Sequence, residues 1–327
     1  MKKRLFSILV IFVINGAVAQ QVPRYSQYIL NNYGINPAYA GSNTGIELKA
    51  GRRQQWIGMP FAPVTNFFSA VYTIRPNYSF RGWHGFGTYI EQDKAGIFTN
   101  KSYGLSYAYH LRILGSVKMG FGLGLGFRSL GISSASLSFD DPVLQMTRKT
   151  SLHYPDFTSG IKVYSKKFFL DLSMRKYPLV NPRKNKVGEG NLDRPVIYFT
   201  YGEKFHTSAN DFLLVPTVHM QLTIMDTKLF KKGSPFPIPT VEAGIMAYYR
   251  KKFGMGAQYR ISNTLTGLLQ FKILRNGVLG IAYDYSLGMM RYAAPHSFEI
   301  ILGFSPMISD EERFTPRDVS RCPDFDF

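Results

Sequence analysis

The chain of 327 residues is strongly basic, with a formal net charge of +18, and it contains a single cysteine, Cys322. One cysteine excludes an internal disulfide framework, and a tail thiol without a resolving partner is predicted to be inert. The charge indicates anionic lipid headgroups, an acidic partner, or simply solvated rim and loop charge. It does not indicate nucleic acid, because the sequence carries no basic-aromatic binding stripe.

The first residues form an export signal. Lys2, Lys3 and Arg4 precede an apolar run, and Ala17-Val18-Ala19 is a small-x-small cleavage site. Cleavage after Ala19 is therefore expected. The alternative is an uncleaved anchor helix, but the apolar run is short for a membrane span of about 20 residues. No later apolar run reaches about 18 residues, so a membrane location would require a closed β-barrel.

The segment of residues 20–44 precedes the first predicted strand. Asn36-Pro37 and Gly41 are turn signals, and several Tyr, Ile and Leu residues give the segment apolar surface. We expect it to fold inside the barrel as a plug, or to seal the periplasmic mouth. The alternative is a disordered lead-in, which would have less apolar surface.

Most of the remaining chain alternates with a period of two, which predicts β-strands. Large apolar residues occupy the odd positions from Val117 to Phe127, and four glycines occupy even positions from Gly120 to Gly126. A β-sandwich would also alternate. The segments run about 9–13 residues, however, and a membrane-spanning strand needs about 9–11. Tyr and Phe at the segment ends suit interfacial girdles.

The predicted fold class is therefore an all-β, transmembrane, antiparallel β-barrel of about 14 strands. The strands are predicted to start near Gly45, Thr65, His84, Lys101, Val117, Phe157, Lys167, Pro195, Asp211, Thr240, Phe253, Leu265, Gly277 and His296. Short connections alternate with long ones, as in barrels with short periplasmic turns and long outer loops. One connection, Ser262-Asn263-Thr264, is short where the alternation predicts a long one.

An even strand count places both termini in the periplasm. The predicted organisation is a signal peptide (1–19), an amino-terminal segment (20–44), an outer-membrane barrel (45–306) and a periplasmic tail (307–327). The tail is either a contact segment or a disordered end.

The sequence offers no catalytic, metal-binding or cofactor-binding set. The six histidines show no paired metal spacing, and His110 and His219 are expected to fill the polar lumen. The glycines from Gly120 to Gly126 lack the following helix of a dinucleotide site, so they predict close packing or bending of a barrel wall. The protein is therefore not expected to be an enzyme.

A set of short motifs resembles the PorP/SprF family of the Bacteroidetes type IX secretion system. The opening motifs are Tyr25-Ser26-Gln27-Tyr28, Asn36-Pro37-Ala38-Tyr39-Ala40-Gly41, Arg53-Gln54-Gln55-Trp56 and Ala62-Pro63-Val64-Thr65. Later matches include Tyr283-Asp284-Tyr285 and a closing strand with His296 and Glu299. In the family the His and Glu of this closing motif are often adjacent, whereas two residues separate them here.

The residues that carry the resemblance are predicted to be family-motif or structural positions. They are Asn36, Pro37, Ala38, Tyr39, Gly41, Arg53, Gln55, Trp56, Pro63, Tyr283, Asp284, Tyr285, His296 and Glu299.

The resemblance implies an outer-membrane component that assists export or cell-surface attachment of a large adhesin or gliding-type protein. Its implied partners are other type IX secretion components, a surface protein held through its C-terminal region, and outer-membrane lipid. The implied mechanism is binding by long outer loops. The alternative function is a passive outer-membrane channel or a transporter of hydrophobic solutes. A secreted soluble β-protein is a third possibility.

Overall fold

The computed structural model describes residues 23–43, 45–74, 82–114, 116–132, 151–179, 195–207, 212–224, 239–250, 252–273 and 276–305. Fourteen strands form the wall. They are β1 (Ile46–Gln54), β2 (Val64–Ile74), β3 (Gly82–Ala95), β4 (Phe98–Leu114), β5 (Val117–Ile132), β6 (Ser151–Tyr164), β7 (Phe168–Pro178), β8 (Val196–Glu203), β9 (Phe212–Thr223), β10 (Thr240–Tyr249), β11 (Phe253–Arg260), β12 (Thr264–Ile273), β13 (Gly277–Ser286) and β14 (His296–Phe304). A two-residue strand, Phe205–His206, extends the wall beside β9.

All strand pairs are antiparallel, and each strand pairs with its neighbours in the chain. The barrel closes between the first and last strands, where Arg53 of β1 lies opposite Glu299 of β14. Closure removes free sheet edges, which is how a spanning sheet satisfies its backbone hydrogen bonds in a bilayer. The prediction of an antiparallel barrel of about 14 strands is confirmed.

The alternation along each strand separates an apolar outer face from a lumen of small and polar residues. In β5, Phe121, Leu123, Leu125 and Phe127 are exposed on the outside, while the intervening glycines face inward. An outer surface this rich in exposed Leu, Ile, Phe and Tyr suits lipid rather than water. None of the helices among the described residues is long and apolar enough to cross a membrane.

The two ends of the barrel differ. One end holds the longest connections and is here called the long-connection end; its connections are 55–63, 96–97, 133–150, 179–195, 224–239, 261–263 and 287–295. The opposite end is here called the short-turn end; its connections are 75–81, 115–116, 165–167, 204–211, 250–252 and 274–276. Backbone hydrogen bonds join connections at the long-connection end: Leu287 N to Asn263 O, Gly96 N to Phe61 O, and Ile224 N to Pro195 O. Ile57 N donates to His296 O at the start of β14.

Several strands are longer than the sequence predicts. The start of β6 was predicted near Phe157, but the strand begins at Ser151, because Pro155 and Asp156 continue the pairing with β5 despite their turn-like character. The start of β4 lies at Phe98 rather than Lys101. The connection 261–263 remains short. The predicted signal peptide, the whole predicted tail (307–327) with Cys322, and residues 133–150 lie outside the described residues.

Residues 23–43, here called the luminal segment, lie inside the barrel. They include a short helix, α1 (Asn32–Ile35), and a 3-10 turn at Pro37–Tyr39. Almost every residue of the segment is buried. The structure therefore places the predicted plug in the lumen.

Candidate functional site

The first contact region lies where β1 meets β14, and it is called the seam cluster: Ser26, Arg53, Asp284 and Glu299. The Arg53 guanidinium reaches Asp284 on β13 at 2.5 Å and Glu299 on β14 at 2.9 Å. All three charged side chains are almost fully buried. The cluster joins three adjacent strands across the closure of the barrel.

The luminal segment completes this cluster. Ser26 Oγ donates to Asp284 at 2.7 Å and accepts from Arg53 Nη1 at 2.8 Å. The backbone N–H groups of Ser26 and Gln27 donate to the two oxygens of Glu299, at 2.8 and 3.1 Å. The carboxylate of Glu299 is thus satisfied partly by Arg53 and partly by the segment.

Two carboxylates against one arginine leave the seam cluster formally negative. The surroundings balance this charge: Arg260 lies 2.5 Å from Glu242 through Nε and interacts electrostatically with Asp284, and Arg24 of the segment interacts with Glu242, so three arginines face three carboxylates. Breaking a buried ion pair by removing one partner costs about 3–5 kcal/mol. The segment is therefore held by an interaction that is costly to disturb.

A second polar cluster holds Tyr25. Its hydroxyl donates to Glu91 Oε2 at 2.6 Å, and the Tyr89 hydroxyl donates to the same oxygen at 2.9 Å. Lys176 Nζ lies 3.3 Å from the other Glu91 oxygen. The Tyr25 ring packs edge-on against Phe67 at 5.2 Å. Tyr25 and Ser26 thus fix the start of the described segment near the long-connection end.

The middle of the segment contacts walls on several sides. Tyr28 stacks on His219 at 4.3 Å and hydrogen-bonds Thr217 at 2.8 Å. Tyr33 hydrogen-bonds Ser106 on β4 at 2.7 Å. These contacts reach opposite parts of the barrel, so the segment crosses the lumen rather than lining one wall.

The Asn36 to Gly41 motif anchors the segment near the short-turn end. Asn36 Oδ1 accepts from Ala38 N at 2.9 Å, which folds the 3-10 turn. Tyr39 OH donates to Asp171 at 2.6 Å, and Lys162 Nζ lies 3.4 Å above the Tyr39 ring. The Gly41 carbonyl accepts from Trp83 Nε1 at 2.6 Å.

Glycines in the wall make room for this motif. An added Cβ at Gly85, Gly122 or Gly160 would collide with the segment, at Ala40, Ala38 and Asn36 respectively. Side chains of any size at these positions would displace the segment. Close packing of the β5 glycines is thus observed, against the luminal segment at Gly122 and against side chains of the wall at Gly120 and Gly126.

The two histidines expected in the lumen are both buried there. His110 Nε2 hydrogen-bonds the Ala40 carbonyl at 2.7 Å, and its ring stacks on Trp83 at 5.3 Å. His219 hydrogen-bonds Thr200 at 2.8 Å. Both serve as polar filling around the segment.

The remaining selected residues lie on the outside and at the rim. Tyr283 OH and His296 Nδ1 are 2.5 Å apart on the outer face, and Tyr285 packs against the same His296 ring. At the rim, the Gln55 N–H donates to the Pro63 carbonyl at 3.0 Å. Trp56 N donates to Ser297 Oγ at 3.1 Å. The bond from Trp56 holds the β1–β2 connection against β14.

Small cavities lie between the segment and the wall, one of about 10 Å³ beside Tyr28 and Asp171 and a larger one on the side of Tyr33. The volume of the larger one is about 40 Å³, and Tyr33, Tyr89, Arg128 and Arg175 contribute to its lining. Such a volume has room for one or two water molecules. It is far smaller than the 300–1,000 Å³ or so of a small-molecule site.

The sequence alone does not single out Glu91, Lys162 or Asp171, although each contacts Tyr25 or Tyr39 of the segment. Polar residues recur on the inward face of every strand, so their positions alone do not distinguish them. Ser26 lies within the Tyr25–Tyr28 motif, and that motif is the feature of the sequence that points to it.

A closed barrel with an apolar outer face and an occupied lumen defines a membrane β-barrel protein. The chain matches the family described as type IX secretion system membrane protein PorP/SprF over residues 17–304. It therefore belongs to the PorP/SprF family, which confirms the family that the motifs predicted. No curated protein sequence matches it.

Solved outer-membrane barrels resemble the chain in structure. Omp33 of Acinetobacter baumannii has 6% identity and a TM-score of 0.46, covering 81% of this chain and 99% of its own. CymD, a monoaromatic hydrocarbon channel, has 11% identity and a TM-score of 0.48, covering 84% and 91%. BamA of Haemophilus ducreyi lacking POTRA domains 1–3 has 11% identity and a TM-score of 0.46, covering 80% and 70%. These likenesses carry no functional information.

Proposed function

We propose that this protein is an outer-membrane component of the type IX secretion system that assists export or surface attachment of a large surface protein by binding it. Membership in a secretion-system membrane family supports the role in secretion. One structural observation favours binding over transport. The luminal segment occupies the lumen from Tyr25 near one end to Gly41 near the other.

A passive channel would need this segment to leave. Its departure would break the seam cluster and expose the Glu91 cluster, both of which are buried. The long connections are then the natural binding surface, since a rigid barrel commonly presents function on its loops. General barrel topology places such connections on the cell surface. The short-turn end and the tail are then periplasmic.

The partner would be the C-terminal region of a secreted surface protein, together with other secretion components. The test is cross-linking in intact outer membranes followed by purification of this protein. Replacing residues 133–150 by a short Gly-Ser linker should remove a surface protein from the purified set. Arg52→Met, a matched change on the outer face of the same barrel, should leave that set intact.

Conductance measurements in liposomes separate the alternative. The purified protein should be non-conducting, and conductance or solute uptake by the unaltered protein would overturn the binding proposal in favour of a channel. Recovery of no secretion component and no surface protein from cross-linked membranes would overturn it as well. Gene deletion tells a general subunit from an accessory, because a general subunit depletes the whole secretome and an accessory depletes one surface protein.

A further inference from the structure

The charged residues on the lipid-facing surface of the barrel are unevenly distributed. On the described strands, the outward positions of β1–β6 carry three charged side chains, Arg52, Lys94 and Lys101, and all three are basic and exposed. The outward positions of β7–β14 carry one, Glu203, which lies beside the short-turn end. The three cations lie toward the long-connection end. Positive charge on the outer face is therefore confined to one side of the wall.

The strand register brings two of these cations together. Lys101 on β4 lies opposite Gln92 on β3, and Lys94 lies two residues further along β3, opposite Thr99. Lys94 and Lys101 are therefore diagonal neighbours on the outer face, with Cα atoms about 7–8 Å apart. On its other side, Lys101 lies opposite Ser129 of β5. We call Gln92, Lys94, Lys101 and Ser129 the lysine site.

Among the described residues, no acidic side chain balances the lysine site on the outer face. The acids that adjoin Gln92 and Lys94 in the chain, Glu91 and Asp93, both point into the lumen. There Asp93 accepts a hydrogen bond from Thr65 at 2.7 Å, and Glu91 lies 3.3 Å from the buried Lys176. Like charges on neighbouring strands repel each other. An anion between the two ammonium groups, each with three hydrogen-bond donors, removes this repulsion.

Arg52, the third cation, stands apart from the lysine site. It lies on β1 opposite Asn66 of β2, and Asn66 lies opposite Gln92 of β3. Three strand spacings of about 4.8 Å therefore separate Arg52 from Lys101, a distance of about 14 Å. Arg52 also donates a hydrogen bond to Asn66 Oδ1 at 3.3 Å. It is thus an exposed cation on the same face that lies outside the site.

The lysine site lies at the edge of the apolar band. Exposed apolar and tyrosine residues on β4 run from Tyr103 to Ile113. Ten residue steps of about 3.4 Å, tilted by about 40°, rise about 26 Å, which matches the apolar band of about 25 Å in outer-membrane barrels. Lys101 precedes this run by two residues, so its ammonium group lies at the level of the lipid headgroups.

An apolar surface adjoins the lysine site on the side of the membrane interior. Tyr103 lies opposite Ile90 on β3 and opposite Phe127 on β5, and all three side chains are exposed. We call these three residues the acyl patch. A headgroup held by the lysine site places its hydrocarbon chains against this patch. A small soluble anion would contact the lysines but would gain nothing from the patch, so the surface suits a lipid.

We propose that the lysine site binds the phosphate group of a lipid in the leaflet at the long-connection end, and that the acyl patch contacts the chains of this lipid. Lys94 and Lys101 hold the phosphate, while Gln92 and Ser129 hydrogen-bond the headgroup. Strands β4 and β5 are the longest of the wall, with 17 and 16 residues. A lipid bound across them fixes how deeply this side of the barrel lies in the membrane. The site does not depend on the role in secretion.

Native mass spectrometry of the purified protein in detergent tests the site. The probes are dioleoyl phosphatidic acid, whose headgroup is a bare phosphate, and dioleoyl phosphatidylcholine, which has the same chains but no net charge. The unaltered protein should bind phosphatidic acid about thirtyfold more tightly, because each lysine beside an anionic headgroup contributes about fivefold. The variant K94Q/K101Q should lose this preference. Both side chains are exposed, and a folded-barrel gel shift checks that the variant folds.

Arg52→Gln is the matched control, because it removes an exposed cation from the same face outside the lysine site. It should keep the preference within about twofold, since the separation from the site exceeds the Debye length of about 8 Å at physiological salt. Equal binding of the two lipids would overturn the proposal, as would a preference retained in K94Q/K101Q or lost equally in Arg52→Gln. Inorganic phosphate in large excess should leave the lipid bound. Displacement of the lipid would assign the site to a free anion and refute lipid binding.

Discussion

Replacement of Arg53 by methionine tests how the luminal segment is held. Methionine keeps the length and apolar part of the side chain but removes the charge. Asp284 and Glu299 would then face each other without the guanidinium that lies 2.5 and 2.9 Å from them. Removing one partner of a buried pair costs about 3–5 kcal/mol. We expect the free energy of unfolding to fall by that amount.

Urea unfolding of the protein in detergent, followed by tryptophan fluorescence, measures the change. Arg52→Met is the matched control, because Arg52 is the adjacent residue on the exposed outer face, where it bonds Asn66 at 3.3 Å. An exposed substitution of this kind changes stability by about 0.5 kcal/mol or less.

A triple variant, R53M/D284N/E299Q, separates the charge effect from lost packing. Replacing a buried ion set by neutral groups is often far less costly than breaking it, so the triple variant should recover much of the stability lost in R53M. Equal stability of R53M and R52M would refute the argument that the seam cluster stabilises the barrel. A triple variant no more stable than R53M would show that packing, not charge, accounts for the loss.

Two further predictions follow from the luminal segment. Gly122→Val should lower the free energy of unfolding by about 1–3 kcal/mol, because the new side chain collides with Ala38. Gly267→Val is the control and should be nearly neutral in the same urea titration, because an added Cβ there meets nothing within 4 Å. Equal effects would contradict the packing of the motif against β5. If the signal peptide is cleaved after Ala19, the variant Gln20→Cys in a Cys322→Ser background should react with a membrane-impermeant maleimide in intact cells. In the unaltered protein, Cys322 should react only after the outer membrane is opened. Labelling of the Gln20→Cys variant only after opening would contradict a mature amino terminus at the long-connection end and would favour the sequence-based prediction of two periplasmic termini.

The barrel can be predicted from the sequence because the alternation of its strands depends only on residues that are neighbours in the chain. Alternation from Val117 to Phe127 is set by residues that face lipid or the lumen in turn, and a period of two is visible without knowing the partner strand. The first and last residues of the strands are harder to predict. Pro155 and Asp156 resemble a turn, yet Asp156 faces inward and pairs with Arg128 at 3.0 Å, so tertiary contacts extend the strand.

Only some residues of the candidate site can be predicted from the sequence. Arg53, Asp284 and Glu299 were selected because they stand in motifs, but their convergence requires β1 to meet β14, which a linear pattern does not display. Glu91 and Asp171 were missed because an inward acidic residue on a strand resembles ordinary lumen filling until Tyr25 and Tyr39 are placed beside them.

The seam cluster also imposes an order on assembly. Ser26 bonds Asp284 and Glu299, which lie 258 and 273 residues later in the chain. Ser26 of the luminal segment therefore acquires its Glu299 partner only when the last strand arrives, and contacts so distant in sequence form slowly. Pairing of β14 with β1 brings Glu299 beside Ser26 and Gln27, so the docking of the segment is complete only in the closed barrel. Closure of the wall and completion of the lumen are therefore one event, and a chain without its last strand would lack the Glu299 contacts to Ser26 and Gln27.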